Sequence, residues 1–173
     1  MKIAFSIRAL GAALVAAGLA VVLAPDAHAE ATFSTRSLVA ELANKAAMAA
    51  LEACRQEGFQ VGVAVTDRSG VLQAFVRDRF AGAHTVEVAT NKAWTAASFR
   101  MTTSMLAEET QAGKPMSGIR NASRVMPIGG GVPIEAGGST IAAIGVSGAP
   151  GGDADERCAQ RGIEAIQMDI EMQ

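Results

Sequence analysis

Few side chains in this chain could carry chemistry. Its 173 residues include two histidines and no tyrosine. His28 lies in an N-terminal apolar segment, so His84 is the single imidazole of the rest of the chain. A zinc site that needs two or more histidines is therefore excluded, and a Ser-His-acid triad would have to use His84. Because imidazole is a common axial ligand of heme iron, His84 is predicted either to hold such an iron or to be an ordinary exposed side chain.

Thioethers and cations are the other candidates. Four methionines surround one predicted helix and either ligate a soft metal or fill gaps in the core; they are Met101, Met105, Met116 and Met126. Three cations could hold the carboxylate of a small organic acid: Lys92, Arg100 and Arg124. No convincing general base lies beside these cations in the sequence, so catalysis is not the favoured role.

A glycine-rich loop, Gly148–Gly152, precedes the last predicted helix. Helix N-termini attract anions, but Asp153 as N-cap and Glu156 as its capping-box partner would repel them. A structural role is therefore favoured. Ser147 lacks the glycine two residues later that a nucleophile elbow requires, because Ala149 stands there.

Two cysteines, Cys54 and Cys158, fall on the apolar faces of the first and last predicted helices. If those helices pack side by side, the two side chains can form a disulfide; otherwise they are buried free thiols. The sequence leaves both alternatives open.

The first 29 residues have the three parts of a secretory signal peptide. Lys2 and Arg8 form a basic start, an apolar run follows, and Ala27-His28-Ala29 is a cleavage site. We therefore predict a periplasmic or secreted protein whose mature part, residues 30–173, is a single domain. No later segment is apolar enough to span a membrane.

The charge of the mature part excludes one class of partner. Without residues 1–29, the chain keeps 13 basic and 16 acidic side chains, a net charge of −3, and no basic block stands out. A nucleic-acid surface is therefore not expected. Only 18% of the residues are charged, so few such side chains are available to cover the surface. This favours a homo-oligomer.

Hydrophobic periodicity and turn residues predict the element order α-β-β-α-α-β-β-β-α. Since nearly all neighbouring strands are joined as hairpins, we expect an α+β domain with an antiparallel sheet of about five strands flanked by helices. The predicted helices are 35–57, 85–99, 105–112 and 153–170, and the predicted strands are 61–66, 71–77, 125–128, 131–135 and 140–146.

Five motifs along the chain resemble the GlcG/HbpS family of small heme-binding proteins. In order they are V-A-V-T-D-R-S-G-V-L, A-T-N-K-A-W-T-A, F-R-M-T-T-S, G-G-G-V-P-I and I-G-V-S-G-A-P-G-G-D-A-D-E. Each is modest alone, but together, in this order and spacing, they are specific. The resemblance implies a compact α+β subunit that self-assembles and, in secreted members, binds heme and takes part in redox or iron sensing.

The resemblance also implies a heme contact at the threonine of an M-P-T-S segment, which is Thr103 here, with Met101 two residues before it. Thr102 replaces the family's proline, and Thr103 has an alternative role as a helix N-cap. Weak surface binding of heme through residues 101–104 is therefore expected, with His84 as the competing ligand. Other relatives are linked to small organic acids, which gives the second hypothesis of carboxylate binding by Lys92, Arg100 or Arg124.

Overall fold

The computed structural model describes residues 31–172. The predicted signal peptide, residues 1–29, lies outside the described residues. Residues 35–172 belong to one compact unit, and residues 31–34 contain no helix or strand. None of the helices in the described range has the length and apolar character needed to cross a bilayer.

A four-stranded antiparallel sheet forms the centre of the fold, in the order β2-β1-β4-β3. Its strands are β1 (Gly62–Asp67), β2 (Leu72–Arg77), β3 (Gly131–Ala136) and β4 (Ser139–Ser147). In the β1–β2 turn, the Asp67 carboxylate accepts hydrogen bonds from the amides of Ser69 and Val71. Gly70 has the positive φ of 83° that this turn requires.

Helices cover both faces of the sheet. The helices are α1 (Ala40–Gln56), α2 (Thr85–Phe99), α3 (Thr103–Glu109), α4 (Gly152–Glu164) and α5 (Gln167–Glu171), with a 3-10 turn at Ser117–Asn121. The main core lies between α1, α4 and the valine and isoleucine side of the sheet. On the other face, Ala89 and Ala93 of α2 pack on Ala64 of β1.

The close approach of α2 to the sheet depends on Gly145 of β4. A Cβ atom at this position would overlap the Ala89 carbonyl and lie 2.5 Å from the Ala93 nitrogen. The backbones of α2 and β4 are therefore in direct contact, which sets the positions of the α2 side chains that face the rest of the molecule.

Of the two alternatives for the cysteines, the structure has the disulfide. Cys54 on α1 and Cys158 on α4 are bonded, with their Cα atoms 5.4 Å apart. Both side chains are fully buried, because the two helices pack side by side over the same face of the sheet.

The α+β class and the antiparallel sheet are confirmed. The sheet has four strands, and the predicted fifth strand, 125–128, is not formed. The segment 125–128 pairs with no strand because its backbone groups form hydrogen bonds with side chains. The Met126 amide donates to Thr95 Oγ1 at 3.0 Å, and the Ile128 carbonyl accepts from Thr103 Oγ1 at 2.6 Å.

Three predicted helices also have different bounds in the structure. The third predicted helix, 105–112, is Thr103–Glu109. The first helix begins at Ala40 rather than Thr35, because the Leu38 amide donates to the Ile141 carbonyl and holds this segment along β4. The last helix is interrupted by a turn at residues 165–166, so that α4 and α5 are separate.

Candidate functional site

A cleft of about 650 Å³, which we call the larger cleft, is formed by five segments. They are the loop after α1, the loop before α2, one side of α2, the segment before β3 that contains Ile128, and the glycine-rich loop with the start of α4. Its lining residues include Phe59, Phe80, His84, Val88, Lys92, Ile128, Gly148–Gly152 and Asp155. This volume is within the range of about 300–1,000 Å³ that is usual for small-molecule sites.

His84 lies on one side of this cleft, at the N-terminus of α2, and its side chain is exposed. The loop that carries it is held at several points. The Thr85 hydroxyl donates to the Gly82 carbonyl at 2.7 Å. A Cβ atom at Gly82 would lie 2.6 Å from the His84 ring, so this glycine allows the ring to fold back over the loop.

An ion pair connects the same loop to α1. Arg55 Nε donates to Asp78 Oδ2 at 2.7 Å, and the Arg79 amide donates to Asp78 Oδ1 at 2.8 Å. Asp78 is almost completely buried. The hydrogen bonds from Arg55 lower the pKa of the Asp78 carboxyl, and they outweigh the opposing effect of burial. Asp78 therefore remains ionised and holds the start of the loop.

Apolar side chains at the cleft are unusually exposed. The exposed fraction is 80% for Phe80 and 51% for Ile128. Both side chains line the same cleft, and large apolar groups exposed at one site indicate a binding surface. Next to a single imidazole, they are suited to a flat apolar ligand that carries a metal.

A buried ion pair lies at the floor of the cleft. Lys92 Nζ donates to Asp155 Oδ2 at 2.8 Å and to the Val146 carbonyl at 2.9 Å. Asp155 Oδ1 accepts from the Ala149 amide at 3.0 Å. Burial raises the pKa of the Asp155 carboxyl, and Lys92 and the Ala149 amide oppose this shift. The pair connects α2, β4 and the glycine-rich loop.

A second cleft, of about 430 Å³, lies beside the start of α3. Arg100, Met101, Thr102 and Met105 line one part of it, together with Pro133 and Glu135 of β3. Arg100 ends α2 with a left-handed φ of 54°. It also lines a smaller neighbouring cavity with Arg68 and Glu135.

A family model described as "Haem degrading protein HbpS-like" matches residues 38–164. The chain belongs to the HbpS-like family. The resemblance predicted from the sequence motifs is thereby confirmed.

Solved structures agree with the HbpS-like assignment. A double mutant of HbpS from Streptomyces reticuli has 35% identity over 90% of this chain and 98% of its own, with a TM-score of 0.75. PduOC in complex with heme has 29% identity over 75% of this chain and 95% of its own, with a TM-score of 0.71. ORFY from Klebsiella pneumoniae, at 24% identity, 81% and 97% coverage and a TM-score of 0.78, shares the fold. No match was found among curated proteins.

The predicted heme contacts of this HbpS-like chain lie in different places. His84 is in the larger cleft and Met101 in the second. Thr103 lines neither cleft and is fully buried. Its hydroxyl donates to the Ile128 carbonyl and accepts from the Gly131 amide. Thr103 is not the helix cap either, since Thr102 Oγ1 accepts from the Met105 amide in that role.

The three predicted carboxylate-binding cations are also separate. Lys92 is paired with Asp155. Arg124 lies 4.8 Å from the centroid of the Trp94 ring, a cation–π contact. The Arg100 side chain has no hydrogen bond or ion pair with any residue in the described range, although its backbone amide donates to the Ala96 carbonyl. Of the three cations, Arg100 is therefore the one available to a ligand.

Sequence reasoning missed Asp155, the acidic residue that lines the larger cleft. Asp153 was expected to cap α4, but the N-cap is Gly151, which makes no side-chain cap bond. Asp155 instead is buried against Lys92. Glu156 accepts from Ser104 Oγ at 3.0 Å, so it is not a capping-box partner. Within residues 31–172, no group of three or more His, Cys, Asp or Glu side chains could hold a metal ion.

Proposed function

We propose that this HbpS-like chain binds heme in the larger cleft, with His84 as the axial ligand. The observation that carries the proposal is the exposed His84 imidazole in a cleft whose neighbouring apolar groups, Phe80 and Ile128, stand in solvent. The residues fit the group, because imidazole ligates heme iron and apolar side chains cover a porphyrin. Bound heme supplies an iron that changes oxidation state.

Thr103 and Met101 are the competing ligands. A contact at Thr103 requires the side chain to leave its buried position, which breaks its hydrogen bonds with Ile128 and Gly131. Met101 is half-buried at the second cleft and needs no such change. The ligand field separates the alternatives, since imidazole favours low-spin ferric heme and an oxygen or thioether contact gives a weaker, largely high-spin spectrum.

Hemin titration of the purified protein tests the proposal. We expect a saturable Soret change with a low-spin pattern that His84→Ala abolishes. Because the His84 side chain makes no hydrogen bond with other described residues, this variant should fold normally, and circular dichroism checks that it does. A spectrum that survives His84→Ala and is lost in Met101→Leu or Thr103→Val would move the site to α3. No saturable change in the wild type would reject heme binding.

The proposed role of bound heme is sensing or scavenging of heme, iron or redox state without turnover. The family description names heme degradation, which is the alternative outcome. Incubation of the heme-loaded protein with a reductant and oxygen distinguishes binding without turnover from degradation. A Soret band that persists supports binding alone, whereas its loss with release of iron indicates degradation.

We further propose that the protein acts outside the cytoplasm as a homo-oligomer. The Cys54–Cys158 disulfide supports an oxidising compartment. The intact mass of protein recovered from the periplasm or medium should match a chain that begins at Glu30. Light scattering at micromolar concentration should return a multiple of the subunit mass, and a monomer mass would contradict the proposed assembly.

Carboxylate binding is the second candidate function, and Arg100 favours it. Arg100 lines two adjacent cavities, and its side chain makes no ion pair with another described residue. A panel of small carboxylates should then raise Tm, and Arg100→Gln should remove the effect. Arg124→Gln is the matched control, because its guanidinium is occupied by Trp94. An unchanged Tm would exclude this function.

A further inference from the structure

His84, the proposed heme ligand, lies on one wall of the larger cleft. The floor of this cleft has no role in the proposed heme binding. That floor contains the buried side chains of Lys92 and Asp155, both of which line the cleft. The exposed fraction of the Lys92 side chain is 2%. Buried lysines are rare, and those in clefts beside an acid are candidates for covalent chemistry with carbonyl compounds.

The surroundings of the Lys92 amine leave one direction open. Two of its three protons go to the Val146 carbonyl and to Asp155 Oδ2. The third has no partner among the described residues. Gly130 packs so closely that a Cβ atom there would lie 2.9 Å from Nζ. Backbone therefore closes this side, and the approach to the amine is from the cleft.

Asp155 has the properties of a proton acceptor for this amine. It lies at hydrogen-bond distance from Nζ, and burial favours its neutral, protonated form. Transfer of a proton along this hydrogen bond, from Lys92 Nζ to Asp155 Oδ2, gives a neutral amine and a neutral carboxylic acid. The amine then has a free lone pair.

We propose that Lys92 forms an imine with a small, uncharged aldehyde or ketone bound in the larger cleft. The amine nitrogen bonds to the carbonyl carbon and gives a carbinolamine. Asp155 returns its proton to the departing hydroxyl, so that water leaves and a carbon–nitrogen double bond forms. The ammonium and the carbonyl compound thus become an iminium ion and water, and no oxidant or reductant is consumed.

The charges around the floor of the larger cleft favour an uncharged carbonyl compound over an anionic one. Asp153 and Asp155 lie in the first turn of α4, and Glu156 follows directly after it. Their carboxylates disfavour an anion such as a 2-oxo acid. The apolar neighbours Phe59 and Val88 suit a short alkyl chain.

Reductive trapping tests the proposal on the heme-free mature protein. Acetaldehyde with cyanoborohydride converts an imine to a stable ethyl-lysine, which peptide mass mapping locates. We expect Lys92 to be labelled about tenfold or more faster than the exposed Lys45 and Lys114, and in a saturable manner. Labelling of Lys92 no faster than that of the two exposed lysines would overturn the proposal, and this comparison within the wild type requires no variant.

Variants separate this chemistry from the heme site. Lys92→Arg keeps the positive charge and should lose the label, whereas His84→Ala should keep it. Asp155→Asn should slow labelling of Lys92 without changing that of Lys45. Pyruvate in place of acetaldehyde should label Lys92 more slowly; faster labelling would overturn the assigned class. Loss of heme binding with Lys92 labelling intact would reject the proposed function alone.

Discussion

The side chains of Lys92 and Asp155 meet at 2.8 Å between α2 and α4, and both are almost completely buried. Removing one partner leaves an uncompensated charge, so Asp155→Ala should lower the free energy of unfolding by about 3–5 kcal/mol. Replacing both, as Lys92→Met with Asp155→Leu, should cost less than the sum of the single changes. Urea unfolding at neutral pH measures this, and additive costs would show that the pair is not coupled.

Asp78 should make stability depend on acid pH. Arg55 lowers the pKa of this carboxyl in the folded protein, so its contribution is present above the unfolded value of about 3.9 and is lost as pH falls through the lower folded pKa. Asp78→Asn should flatten the acid limb of a plot of Tm against pH. Asp153→Asn, which alters an exposed carboxylate, is the control. Equal acid limbs in wild type and Asp78→Asn would contradict this role.

Gly145 should tolerate no side chain. Gly145→Ala places a methyl group against the backbone of α2, and such overpacking against backbone cannot be relieved by rotamer changes. We expect a loss of about 3 kcal/mol or more, or failure to fold. Gly151→Ala is the matched control, because nothing lies within 4 Å of its added Cβ. Thermal melts of both variants make the comparison, and equal Tm values would show that α2 can move away.

Removal of the disulfide should destabilise the domain. Cys54 and Cys158 are 104 residues apart, and native disulfides typically contribute about 2–5 kcal/mol. The double variant Cys54→Ala, Cys158→Ala should unfold at lower urea concentration than the wild type. A reductant should lower the stability of the wild type and leave the variant unchanged. Equal stability of the two proteins without reductant would count against this prediction.

Periodicity and turn residues predicted most of the elements that have regular backbone hydrogen bonding. Helix α2 has the predicted bounds, 85–99, and β1, β2, β3 and β4 were each placed within one residue at either end. The strand predicted near Val125 failed for a different reason. Its composition suits a strand, but its partners are the hydroxyls of Thr95 and Thr103, which come from two distant helices.

The sequence likewise identified some residues of the candidate site and not others. His84 could be found from composition because it is the single imidazole left after residue 29. The Lys92–Asp155 pair joins positions 63 residues apart, and nothing local to either residue indicates the other. The burial of Thr103 likewise depends on Ile128 and Gly131. A motif identifies such a threonine but not the direction of its hydroxyl.

The bond between Cys54 and Cys158 makes the chain from α1 to α4 a closed covalent ring. The long exposed connection at 111–124 lies within this ring, and it offers Arg120 and Arg124 to a protease. A single cut there opens the ring without dividing the molecule. The part that carries His84 and Lys92 stays joined to the part that carries Asp155 and the glycine-rich loop. Both walls of the larger cleft therefore remain one molecule after a nick that would separate an unlinked chain into two.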